Sequence, residues 1–135
     1  PIHYECLVKN CPEDVETHQL AVGNEEKMIS LSEDNFTQAK RVVGDGTIPM
    51  VTIDSLGLDD VDLVKIDVEG FEMEVLKGAE NTLKNVDYLM IELNNNSKKY
   101  GSSNLEIEKH LRKTGFEIMI KVWPDVVWRK KGKSK

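Results

Sequence analysis

Residues 61–93, VDLVKIDVEGFEMEVLKGAENTLKNVDYLMIEL, constrain the fold of this chain more than any other stretch. An apolar run of strand length, VDLVKID, ends in acids and Gly70. Phe71, Val75, Leu76, Ala79 and Leu83 then recur at helical spacing, with Glu80 and Lys84 as an i, i+4 pair on the other side. A second apolar run, VDYLMIEL, ends in Glu92. Strand, helix and strand in this order form a βαβ unit with two parallel strands. The nearly continuous apolar character of VDLVKID predicts a strand covered on both faces. In open α/β sheets ligands bind just beyond the carboxyl ends of the strands, and parallel neighbours would bring Asp67, Glu69 and Glu92 to one rim. Acids in such places also serve as helix caps or solvated loop residues, and Glu69 and Glu72 flank a helix start whose dipole they would complement.

The rest of the chain supplies compatible elements. In PIHYECLVKNC, Tyr4, Leu7, Val8 and Cys11 follow helical spacing, and Pro1 sits where a first turn accepts it. VETHQLAVG alternates weakly up to Gly23 and reads as a strand, and KMISL reads as a short one. The polar, glycine-interrupted segment 33–50 reads as a long surface loop or lid. MVTIDSL is strand-like. Ser103 and Glu106 form a capping box that opens a helix closed by Gly115. FEIMIKVW and VVWRK, separated by Pro124 and Asp125, read as a closing hairpin. Helix and strand alternate, so the expected class is α/β with a mostly parallel sheet and helices on both faces.

A length of 135 residues suits one domain with one core. The last seven residues, RKKGKSK, carry five basic groups, and without them the preceding 128 residues stand at −11. We therefore expect a domain over 1–128 and a basic, disordered tail over 129–135. A body this acidic repels phosphate backbones, which argues against nucleic-acid binding. No window approaches the ~18 apolar residues of a membrane helix, and no targeting signal is visible. Cys6 and Cys11 match no ligand spacing and read as reduced thiols in a cytoplasmic protein. His3, His18 and His110 form no nucleophile pattern. Trp123 and Trp128 read as core or interface aromatics. Lys65, inside an apolar strand, is expected to reach towards the strand-end acids.

LVKIDVEGFEMEVLKGA, with LAVGNEE and VTIDSL upstream and YLMIEL downstream, resembles the later part of an FkbM-type S-adenosylmethionine-dependent methyltransferase, over roughly residues 1–95. The resemblance implies a Rossmann-like methyltransferase fold in which the first two strands, the glycine-rich cofactor turn and the ribose-binding acid are missing. Pro1 resembles the proline that follows that acid. The only G-x-G, Gly44-Asp45-Gly46, lies in a polar segment leading to Thr47, Ile48 and Pro49 and fails the structural test for a cofactor turn. Loss of two strands would leave a gap beside VDLVKID, and an open edge favours pairing. We expect VETHQLAVG, another segment or a second copy of the chain to close it, with self-association favoured.

By the resemblance, Ala21, Val22 and Gly23 would pass the adenine of S-adenosylmethionine. Methyl transfer to a hydroxyl needs a base, and Asp67 is the first candidate, with Glu69 second or as a positioning group. The acceptor would be a sugar or another small polar molecule, and the chain alone is expected to be inactive. Asp67, Glu92 and Asn94 could offer oxygen to Mg²⁺, but their spacing is not distinctive and a metal-free site is expected. The competing reading is a non-catalytic interaction or oligomerisation module derived from a methyltransferase.

Overall fold

The computed structural model describes residues 2–32 and 42–132. Helix α1 (Ile2–Asn10) leads to strands β1 (Ala21–Val22), β2 (Lys27–Leu31) and β3 (Val42–Val51). Strand β4 (Leu63–Ile66), helices α2 (Glu72–Lys77) and α3 (Thr82–Asn85) and strand β5 (Tyr88–Glu92) follow. Helix α4 (Asn104–Lys113) and the hairpin β6 (Phe116–Val122) and β7 (Asp125–Lys130) complete the order. No helix among the described residues is long and apolar enough to cross a membrane.

Two mixed sheets replace the expected mostly parallel one. The first has the order β1-β3-β2 and the second β4-β5-β7-β6. Parallel pairing joins β4 to β5 and β1 to β3, and the remaining pairs are antiparallel. The reason lies in the connections: β4 and β5 are linked by a helical crossover, whereas two residues between β6 and β7 permit only a hairpin. Cover is also one-sided rather than double. Register puts Leu89 opposite Trp128 and Ile91 opposite Val126, and these four are fully buried with Ile66 and Phe116 against α2, α3 and α4. On the other face Lys65 is exposed, Met90 is half-buried, and Leu63 keeps 53% of its surface. Alternation along β4 is thus that of a strand with one solvated face.

The segment 15–23 pairs only at Ala21 and Val22, and with β3 rather than β4. In the described residues β4 is an edge strand. The expected loop or lid over 33–50 is strand from Val42 onward, and 33–41 lie outside the described residues. Gly44, at φ +52, and Gly46, where a Cβ would meet the Ile29 carbonyl, let this strand lie against β2 beside an irregularity between Ile29 and Ser30. In MVTIDSL, strand character ends at Val51, and Asp54–Leu56 form a short 3-10 turn. The predicted 71–84 helix is broken at Gly78, whose carbonyl accepts Asp54 N–H at 3.0 Å. Asp54 then caps α3 from outside, accepting the N–H groups of Asn81 (2.9 Å) and Thr82 (2.8 Å) and the Thr82 hydroxyl (2.8 Å). These bonds hold its carboxyl below the usual range against the opposing effect of burial.

The capping box forms: Ser103 Oγ accepts Glu106 N–H at 3.3 Å and donates to Glu106 Oε2 at 2.8 Å. The sequence reads Arg129 and Lys130 both as the end of VVWRK and as the start of a basic tail. Arg129 and Lys130 belong to β7, and Lys130 Nζ donates to the carbonyls of Leu83 (2.8 Å) and Thr114 (3.0 Å) while lying over the Phe116 ring. The remainder of the expected tail, 133–135, lies outside the described residues. Trp128 is core, but Trp123 is 56% exposed at the hairpin turn.

Candidate active site at the carboxyl ends of the parallel strands

Ile66 pairs with Ile91, so the next residue on each parallel strand, Asp67 and Glu92, falls side by side. One carboxylate oxygen each from Asp67, Glu69 and Glu92 lies within 4.8 Å of the other two. The structure thus brings together the three acids singled out in the sequence.

Each acid is held differently. Lys65 Nζ donates to Asp67 Oδ2 at 3.0 Å. The Glu92 carboxyl beside it, as a hydrogen-bond partner, and then Lys65 hold the Asp67 carboxyl below the usual range. Glu92 is pushed up to about 7, first by the bond to Asp67, then by burial, then by the charges of Asp67, Glu69 and Asp125. Two neighbouring carboxyl groups cannot both ionise cheaply, so the second gives up its proton at a higher pH than the first. Glu69 accepts from Asn94 Nδ2 at 3.0 Å and Asn96 Nδ2 at 2.9 Å.

The backbone here departs from ordinary conformations. Glu69 has φ +54 and Asn95 φ +66, values that residues with a Cβ adopt at a cost. Gly70 has φ +113, and a Cβ there would stand 2.6 Å from the Asn96 backbone. Glu72, 2% exposed, accepts Gly70 N–H at 2.7 Å and so closes the turn that carries Glu69. Burial raises its carboxyl above the usual range. The sequence reading missed this role for Glu72, which it took as a dipole partner, and missed Asn96. It treated Asn94 only as a metal oxygen. The available signal was the run Asn94-Asn95-Asn96 straight after a strand, since asparagine tolerates the left-handed region.

Ala21, Val22 and Gly23 stand elsewhere. Ala21 and Val22 are half-buried in β1, and Gly23 N–H donates to Val51 carbonyl at 2.9 Å. A Cβ at Gly23 would meet Met50 and Phe71, and one at Gly78 would meet the Gly23 carbonyl. Their link to the rim runs through Phe71, which follows the 69–70 turn.

Three carboxylate oxygens would suit a hard cation such as Mg²⁺. Asp67 and Glu69 are already engaged by Lys65 and by two asparagines. A hollow of about 1140 Å³ lies at the opposite ends of β4 and β5, lined by Asp54, Asp59, Asp60, Asp62 and Asp87. Strand polarity, not the size of the hollow, selects the rim as the candidate site.

Parallel strands β4 and β5, joined through helices and delivering acids to a common carboxyl-end rim, make this an α/β domain. The chain belongs to the FkbM methyltransferase family: the profile of the methyltransferase FkbM domain matches residues 3–118. It is also similar in fold to the crystal structure of methyltransferase FkbM from Methylobacillus flagellatus KT, with a TM-score of 0.57 and 17% identity. That match covers 95% of this chain and 32% of the other, so the chain spans about a third of its length. None of the curated proteins matches at a significant level.

Proposed function

We propose that this domain serves S-adenosylmethionine-dependent methyl transfer to a hydroxyl of a small polar or sugar acceptor. The observation that carries the reading is the convergence of Asp67, Glu69 and Glu92 at the carboxyl ends of β4 and β5. S-adenosylmethionine, when bound, supplies an electrophilic methyl on a cationic sulfonium. The residues present fit that reactive end, because three acids favour a positive charge beside them. They do not supply a glycine turn for the rest of the cofactor among the described residues, since Gly44 and Gly46 are spent on β3.

Asp67 and Glu69 take the acceptor side, accepting hydrogen bonds from its hydroxyls within an acid rim that draws off the reacting proton. Asn94 and Asn96 orient Glu69, and Lys65 orients Asp67. Ala21, Val22 and Gly23 offer backbone and apolar contact to the adenine. Free Cys6 and Cys11 suit a cytoplasmic setting.

The second reading, a non-catalytic association module, is favoured by the open edge of β4 and the exposed Leu63 beside it. A second copy of the chain pairing along that edge is part of this proposal. Calorimetric titration with S-adenosylhomocysteine separates the two. Binding in the micromolar range is the outcome the enzyme reading expects of a site still able to hold cofactor. No heat at millimolar ligand would leave the module.

A further inference from the structure

We infer that Asp67 and Glu92 form one acid–base unit that shares a single proton, taken up and released near neutral pH, with Glu92 as its proton-carrying member. This rests on the reading above for its purpose, not for its existence. The geometry comes from the strands: parallel register sets the two carboxyls side by side, within 4.8 Å of each other and of Glu69. Two anions at this separation repel, and sharing one proton turns the repulsion into a hydrogen bond.

The surroundings decide which member keeps the proton. Lys65, on β4, contacts Asp67 at 3.0 Å and favours its anion. No described ion pair includes Glu92, and three acids crowd it: Asp67 after β4, Glu69 in the turn and Asp125 opposite it on β7. Lys65 also feels the Glu92 charge, but its contact is with Asp67. Asn94, which could donate, is turned to Glu69. The upward shift of Glu92 and the downward shift of Asp67 agree with this assignment.

The consequence for methyl transfer is a reassignment. A base performs best when its affinity for the proton matches the working pH, and an Asp67 held as an anion is too weak a base to lead. In the balanced step, the acceptor oxygen bonds to the methyl carbon as the carbon–sulfur bond breaks. Sulfur keeps the electron pair of that bond, and the hydroxyl proton passes to the Glu92 carboxylate. Asp67 then tunes Glu92 instead of acting as the base itself.

The test is a ¹³C NMR titration of side-chain carboxyls on the unmodified chain without cofactor, so that its outcome is independent of the calorimetry. The expected result is a Glu92 midpoint near 7, against about 4.3 for an unperturbed glutamate. Asp67→Asn should bring it down by at least a unit, a tenfold change in proton affinity, and Asp125→Asn should lower it less. Variants are read only where their amide spectra keep the parent pattern. A Glu92 midpoint in the ordinary range in the unmodified chain overturns the inference whatever the variants do. So does a folded Asp67→Asn variant that leaves the midpoint in place. If the midpoint is raised and S-adenosylhomocysteine still does not bind, the methyltransferase reading fails and the acid pair stands.

Discussion

At the residue scale, Asp54 carries much for a half-buried aspartate. It satisfies two N–H groups and a hydroxyl at the start of α3, a helix too short to sustain its own first turn. Asp54→Ala should cost about 1 kcal/mol in urea unfolding, the usual penalty for a lost cap, with an unchanged denaturant slope. The pH dependence has a definite sign. A carboxyl whose folded value is depressed contributes stability that is present above its unfolded value, 3.8, and is lost as pH falls through the folded one. The Asp54→Asn variant should therefore lose less stability than the parent on acidification below about pH 4. An equal loss in both would show that the carboxyl is not held as an anion.

At the scale of elements, Gly78 is where α2 passes the end of β1 closely enough for a Cβ to meet the Gly23 carbonyl. Gly78→Ala should destabilise by about 3 kcal/mol or more, because the obstacle is backbone and cannot rotate aside. Gly44→Ala is the control. Its φ of +52 carries strain, but open space surrounds it, so a cost of about 1 kcal/mol is expected. Comparable values for the two in thermal unfolding would contradict the close approach. Elements set by local pattern were legible in the sequence: α1, the Ser103–Glu106 box, the closing hairpin and the βαβ unit with its three acids. Strand partners were not, because direction and pairing depend on residues distant in the chain. VETHQLAVG looked able to fill the gap beside β4, yet its paired end lies against β3. The break in the 71–84 helix was hidden because its cause, Asp54, lies outside the periodic stretch. Arg129 and Lys130 were read both as strand, in VVWRK, and as basic tail, because composition cannot show that Lys130 has two carbonyls waiting. Among the site residues, the acids were visible through their place at strand ends. The Asn94–Asn96 clamp was not, since it forms only when two loops meet.

At the scale of the whole molecule, the core lies on one face of the second sheet, and among the described residues β4 has an open edge beside Leu63. An exposed apolar strand with unpaired backbone groups favours association with another strand. Sedimentation of the parent chain should show concentration-dependent dimers, and Leu63→Lys, a charge of the kind that protects natural edges, should shift it towards monomer. A parent that stays monomeric over that range would remove the association proposal.

The two unusual turns at the rim are tied together by Asn94 and Asn96, and the tie continues outward. Beyond Asn96 a short 3-10 turn ends at Tyr100, whose ring meets Phe71 edge-on at 4.9 Å and whose hydroxyl accepts Val42 N–H at 3.1 Å. A push on Glu69 therefore cannot stay local: the asparagine loop must travel with it, Tyr100 follows, and the first residue of β3 is carried along. Whatever settles among the acids leaves its mechanical imprint on the other sheet.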